Sequence, residues 1–357
     1  MTERAFFRKN KKPSLDTINQ LLDKLNRPDK SPNHRVIIGG TALKGTTCYH
    51  IESVLQSNGL STTLITSPHL EKINERIRIN SQEISDNSLN QLLEQIEETC
   101  QTHNIQPTFY EAMIATGILA SHKNNSEVLI LEVGLGGNFD AVNAVQGPRI
   151  SGLSFIGNDH AQIIGPTLKD VATEKAGIFT KSCTNAYTCE HEYYETIQEI
   201  AKTEVQQLPN QNIPKQLTYS ICSDILQTQN FQIPKLQLPC RWEKIQNFIL
   251  DGAHSEPRFK SLIPKLQNLP QKPDAIIAMT SRHDYKSLKH IIPYLNNITW
   301  TTIPDQDHWE PTKLQEYFQK GTVNPNPLNS VSQLSDLTLI TGSFYLCGYI
   351  RKSIKSL

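Results

Sequence analysis

The chain has 357 residues, 35 basic and 35 acidic side chains, no net charge and 37% apolar residues. That length suits two domains, each large enough to bury its own core. Balanced charge gives no electrostatic reason for a nucleic-acid or membrane-surface partner, no apolar run reaches the roughly 18 residues that span a bilayer, and MTERAFFRKNKK (1–12) lacks the apolar stretch of a secretory leader.

A helix is expected over 15–26, then a strand at RVII (35–38), a glycine-containing loop and a helix over 46–58. TTLIT (62–66) reads as the next strand, 85–104 and 108–122 as helices, and EVLILEV (127–133) and RISGLSFI (149–156) as buried strands. Strands and helices alternating at these lengths imply parallel βαβ units in a doubly wound sheet. From 182 to 239 the pattern weakens, leaving one helix expected near 196–207. A second alternating series follows: NFILD (247–251), helix 256–268, AIIAM (275–279), helix 284–295, ITWTTI (298–303), helix 311–320, LTLIT (337–341) and a final helix. The expected fold is therefore α/β, with a phosphate-loop-type ATPase domain over 1–239 and a smaller Rossmann-like domain over 240–357.

Thirteen of the 17 glycines lie between Gly39 and Gly177, and none between 178 and 251. Glycine is used where backbone takes positive φ or approaches a ligand, so the first half is where backbone-lined sites are expected. Seven irregularly spaced cysteines match neither a disulfide framework nor a zinc set, and a reduced, cytoplasmic, monomeric protein is the expectation.

GTALKGTT (40–47) sits between strand and helix, where backbone N–H groups and a helix N-terminus converge on an anion. Gly40, Thr41, Lys44, Gly45, Thr46 and Thr47 are its candidate nucleotide contacts, with Lys44 reaching terminal phosphates and Thr46 or Thr47 near the metal. An ordinary βα loop with a solvated lysine is the competing reading, because the strict GxxxxGK[ST] spacing is not met. Glu132 ends a buried strand facing the ligand crevice, and Mg²⁺ is a natural partner for such a carboxylate. His160, in GNDH (157–160), follows another strand and projects toward the same edge. Thr108 and Glu111 form a capping box by spacing alone, and Lys175 with Gly177 beyond it reads as ordinary helix-end chemistry. Asp251 and His254 in DGAH suit a ribose hydroxyl or phosphate, or else a turn capped by Ser255.

GTxxKGT, TSPHLEKINERIRIN (66–80), TFYEA, LEVGLGGxxDAxN, GxDH, TLKDVATEKAGI (167–178), DGAH and ITGSFYLCG (340–348) occur in that order. Together they resemble the folylpolyglutamate synthase/dihydrofolate synthase family of the Mur ligase superfamily. The resemblance covers about 15–181 and 240 to the end. It implies an ATP- and Mg²⁺-dependent ligase that phosphorylates a folate or pteroate carboxylate and joins L-glutamate to it. It also implies Ser67, Glu132 and His160 as Mg²⁺ ligands, with Lys175 matching a lysine that is carbamylated in the family. Lys44, His160 and Lys175 are then the catalytic set. Thr108, Phe109, Glu111, Phe139, Asp140 and Ala141 match the pterin-contacting segments. Arg241 matches the arginine that reaches ATP from the second domain, and Asp251 its ribose-side partner, with His254 beside it. The family's loop reads GTNGKGS, so Ala42 and Leu43 replace Asn and Gly; Asn138 replaces a common arginine, and 182–239 shows no GxHQxxN helix. Two other readings stay open: a folate- or nucleotide-binding paralogue impaired in catalysis, and an amide ligase with a changed acceptor.

Overall fold

The computed structural model describes residues 14–157, 164–332 and 337–355. Contacts divide them into two compact units, one reaching Lys235 and one beginning at Leu236. Among the described residues no helix is long and apolar enough to cross a membrane.

The first unit is built on a sheet of β1 (His34–Gly39), β2 (Thr62–Ile65), β3 (Ile77–Ile79), β4 (Gln82–Glu83), β5 (Val128–Glu132), β6 (Arg149–Leu153), β7 (Cys183–Thr188) and β8 (Gln206–Gln207), in the order β4-β3-β2-β5-β1-β6-β7-β8. The strands from β2 to β8 across the centre run parallel, whereas β3 and β4 are antiparallel additions at one edge. The sheet is thus mixed rather than wholly parallel. Apolar side chains on alternate residues bury both faces: Val36 and Ile38 enter one core, Ile37 the other. On the first face lie α2 (Lys44–Ser57) and α7 (Ile213–Leu226). On the second lie α1 (Asp16–Lys24), α3 (Asp86–His103), α4 (Phe109–Lys123), α5 (Leu168–Ala176) and α6 (Tyr194–Ile200). Gly117 lets α4 approach the sheet, since a methyl there would stand 2.3 Å from the Ile65 side chain.

The second unit carries β9 (Arg241–Ile245), β10 (Phe248–Asp251), β11 (Asp274–Ile277), β12 (Ile298–Trp300), β13 (Thr322–Val323) and β14 (Thr338–Thr341), ordered β13-β12-β11-β14-β10-β9. All pair in parallel except β9 with β10. Its helices are α8 (Glu256–Gln267), α9 (Pro311–Phe318), α10 (Pro327–Ser332) and α11 (Phe344–Ile354). Arg351 of α11 grips Glu243 of β9 at 2.8 and 3.0 Å, a two-pronged buried pair.

Three expected elements change. The helix expected over 196–207 ends at Ile200, where the Gln198 side chain bonds Val205 N–H at 3.0 Å and Thr203 O at 3.3 Å, turning the chain into β8. In place of one helix over 284–295 stand two 3₁₀ segments, Tyr285–His290 and Ile292–Tyr294, because Pro293 has no N–H to continue an α-helical ladder. Within the stretch 182–239, β7 extends the parallel sheet and α7 packs on α2, neither of them expected.

Candidate active site

β1 and β5 are neighbours, with Ile38 paired to Glu132, so the loop after β1 opens beside the Glu132 carboxylate. That loop is tied down through its backbone. Ser154 Oγ donates to Ala42 O at 2.6 Å, Ser154 N–H to Gly39 O at 3.0 Å, and Thr41 N–H to Phe155 O at 2.9 Å. Gly40 has φ +126, and a methyl on it would lie 1.9 Å from Ser154 Oγ. Leu43 takes the left-handed conformation, φ 67 and ψ 0, immediately before α2. The backbone therefore keeps a shape suited to glycine, at a handedness cost of about 1–2 kcal/mol.

Lys44 Nζ donates to Gly40 O at 2.9 Å, and Lys175 Nζ donates to the same oxygen at 3.3 Å. Two ammonium groups thus meet on one carbonyl, and Lys175 is only 3% exposed. Not every predicted contact faces outward. Thr41 Oγ1 is spent on Gly157, donating to its carbonyl at 3.1 Å and accepting from its N–H at 2.9 Å. Thr47 Oγ1 is buried and donates to Leu43 O at 2.8 Å, which leaves half-buried Thr46 as the better placed of the two threonines.

Glu132 is 7% exposed, and its Oε2 accepts from Ser67 N–H at 3.1 Å. A methyl on Gly45 would come within 3.3 Å of both carboxylate oxygens, so glycine there admits the carboxylate to the start of α2. The chain from Ser67 to Arg76 folds around Glu75, whose carboxylate accepts from the N–H groups of Leu70, Glu71 and Lys72 at 2.6, 2.8 and 3.0 Å. Arg76 Nε donates to His69 Nδ1 at 2.9 Å, and its guanidinium carbon sits 5.2 Å from the centre of the Phe109 ring. Burial, reinforced by the Arg76 charge, pushes the His69 imidazole down to about 4.

Of the predicted pterin contacts, Thr108 and Glu111 form the capping box of α4, with Thr108 N–H to Glu111 Oε2 at 2.7 Å. Asp140 is buried, accepting from Tyr110 OH and the N–H groups of Gly134, Leu135 and Val142, and burial raises its carboxyl. It organises the turn, and Ala141 beside it is buried, while Phe139 stands 48% exposed. Glu174 of α5 holds that turn from the other side: its carbonyl accepts from Asn138 N–H at 3.0 Å and its Oε1 from Gly137 and Phe139 N–H at 3.4 Å. Gly177 has φ −59, so its glycine serves packing rather than a left-handed helix end: a methyl would lie 2.4 Å from Asn138 Cβ. Lys175 turns inward instead of covering the helix end. Sequence reasoning missed Tyr110, Ser154 and Glu174, whose roles depend on partners 24 to 112 residues away. His160 lies outside the described residues.

In the second unit, the Arg241 guanidinium lies 3.9 Å from the centre of the Phe344 ring. Asp251 Oδ1 accepts from Ala253 N–H at 3.1 Å. His254 Nδ1 stands 2.8 Å from Gly252 O, which can only accept, so Nδ1 carries the proton. Its ring packs 4.5 Å from that of His283. Burial first, then His283, Arg258 and Arg241, hold the His254 imidazole well below 6.5. Ser255 precedes α8 without a side-chain cap.

Fold and site together define a two-unit α/β protein with a cationic phosphate-type loop facing a buried strand-end carboxylate. No family model matches the chain. It is 41% identical over 152 residues to a folylpolyglutamate synthase of Arabidopsis thaliana, covering 40% of this chain and 26% of that protein. It is 38% identical over 172 residues to the dihydrofolate synthase/folylpolyglutamate synthase of Bacillus subtilis, covering 47% and 40%. These matches span well under two thirds of either relative. The fold matches the Yersinia pestis bifunctional folylpolyglutamate synthase/dihydrofolate synthase complexed with AMPPNP and Mn ion, at TM-score 0.86 and 21% identity over 97% of this chain and 95% of that one. The chain is thus similar in sequence, over somewhat less than half its length, to folylpolyglutamate synthases and dihydrofolate synthases, and shares the fold of a bifunctional one along nearly all of it.

Proposed function

We propose that the chain is an ATP-dependent ligase joining L-glutamate to a folate or pteroate carboxylate through an acyl phosphate. The carrying observation is the meeting of Lys44 and Lys175 on Gly40 O beside the Glu132 carboxylate. A phosphate placed among the loop N–H groups would lie within reach of both ammonium groups. The names of the relatives support the same chemistry.

In this reading the loop 40–46 and Lys44 bind the ATP phosphates and hold the γ-phosphate in line with the acceptor carboxylate. Carboxylate oxygen bonds to the γ-phosphorus as its bond to the ADP oxygen breaks. The amine of glutamate, after losing a proton, then attacks the acyl carbon, and inorganic phosphate departs with the C–O electron pair. Lys44, together with Lys175 in its ammonium form, offsets the charge that accumulates where two anions meet. Arg241, Asp251 and His254 are the nucleotide contacts proposed for the second unit, with 1–239 as the ATP-binding domain and 240–357 as the ligase domain.

A divalent metal fits the donor set. Among the described residues no three His, Cys, Asp or Glu side chains cluster into a cage. Mg²⁺ needs only one or two protein carboxylates beside phosphate oxygens and water. Glu132 and Ser67, with His160, are the proposed holders, and Lys175 joins them if carbamylated. When bound, the metal supplies charge neutralisation at the phosphates. Small-molecule partners, a monomeric state and a cytoplasmic setting accompany the reading, and the balanced charge gives no electrostatic reason for a nucleic-acid partner.

The test is phosphate release from Mg-ATP with glutamate and either dihydropteroate or tetrahydrofolate, using purified folded protein. Release dependent on all three substrates supports the reading; none with either acceptor ends it.

A further inference from the structure

We propose that His69 is a positioning residue for the acceptor side of this site, fixing the Arg76 guanidinium against Phe109 and so setting affinity for the pteroate or folate rather than for ATP. The inference rests on the ligase reading, which places Phe109 among the acceptor contacts. An arginine side chain is long and has many rotamers, and among the contacts of this one His69 Nδ1 takes the Nε–H at 2.9 Å and the Phe109 ring lies 5.2 Å from the guanidinium carbon. Because Arg76 donates, Nδ1 is unprotonated and the imidazole is neutral, so the pair carries one positive charge.

The surrounding backbone makes this arrangement rigid. Glu75 gathers three consecutive N–H groups, and Thr66 N–H bonds Arg76 O at 3.0 Å. One end of this loop brings the Ser67 N–H to Glu132; the other brings Arg76 to the first residue of α4. A flat aromatic face beside an oriented cation suits a flat, aromatic, anionic ligand. Such an acceptor has those features, and the phosphates are served by the separate loop after β1.

The experiment compares His69→Leu and His69→Asn in the full chain, reading calorimetric dihydropteroate binding, separate KM values for acceptor and ATP, and kcat. His69→Leu is expected to weaken pteroate binding and raise its KM roughly tenfold, the scale of one charge-assisted contact. The KM for ATP should stay within about twofold and kcat should change little. His69→Asn puts an amide oxygen where Nδ1 stood and should restore most of the affinity. Equal effects on ATP and acceptor, an Asn variant as impaired as the Leu variant, or no effect in either overturns the proposal, as does absence of pteroate binding by the unaltered protein. Pteroate binding without turnover would instead remove the ligase reading and leave the role of His69 standing.

Discussion

Lys44 and Lys175, 131 positions apart in the chain, donate to one oxygen, the carbonyl of Gly40, at 2.9 and 3.3 Å. Lys44 is the first residue of α2, and Lys175 comes from the last turn of α5. Replacing Lys44 with alanine should cut turnover by about 10²-fold or more, the scale of removing one transition-state charge contact. The melting temperature should hardly move, since Lys44 is half-buried and its ammonium bonds a backbone carbonyl in a loop already clamped by Ser154. Steady-state rates with a parallel thermal melt check both halves.

Leu43 tests the loop's conformation. Leu43→Gly removes the left-handed penalty but adds chain entropy to the unfolded state, for a net gain of about 0.5–1 kcal/mol. Leu43→Val, β-branched at φ 67, should lose about 1 kcal/mol or more. Denaturant midpoints should rank Gly above Leu above Val.

Gly40 and Gly45 separate shape from function. Gly40→Ala forces a methyl to 1.9 Å from Ser154 Oγ at φ +126, and should destabilise by about 3 kcal/mol or more. For Gly45→Ala, within α2, the nearest atoms to the new methyl are those of the Glu132 carboxylate, at 3.3 Å. It should leave stability equal or slightly raised while impairing Mg-ATP-dependent turnover. Urea melts and activity assays distinguish the two outcomes.

The His254 imidazole gives a pH dependence. Its folded pKa is depressed below 6.5 by burial and by His283, Arg258 and Arg241. The contribution to stability is therefore full above pH 6.5 and is lost as pH falls below it, because the unfolded chain binds the proton more readily. A histidine variant that cannot titrate, His254→Asn, should flatten part of the decline in melting temperature between about pH 6.5 and 5. A slope unchanged by the substitution would show that other groups cause it.

The central strands were readable because RVII and VLILE are short, continuous apolar runs buried on both faces. The strand-end placement of Glu132 and the phosphate-type loop followed from them. Helix α7 was not readable: its buried face is Leu217, Thr218, Ile221, Cys222 and Ile225, too weakly apolar to stand out, and Pro214 occupies its first turn. β7 reads CTNAYT, polar by composition yet paired along β6. In the site, local spacing found the capping box of Thr108 and Glu111. It did not reveal that Asp140 is occupied by four donors, or that Lys175 points inward. Three donors to Asp140 lie within six residues but are gathered by the turn's own conformation, whereas Tyr110 is 30 residues away and Lys175 meets Gly40 across 135.

The most direct test follows ADP, phosphate and ligated product together, with Mg-ATP, L-glutamate and either dihydropteroate or tetrahydrofolate, for the unaltered protein and for Lys44→Ala. The account predicts one phosphate released per glutamate joined, dependent on every substrate and cut about 10²-fold or more in the folded Lys44→Ala variant. Folded protein that yields no ligated product with either acceptor, or a Lys44→Ala variant that turns over normally, would contradict it.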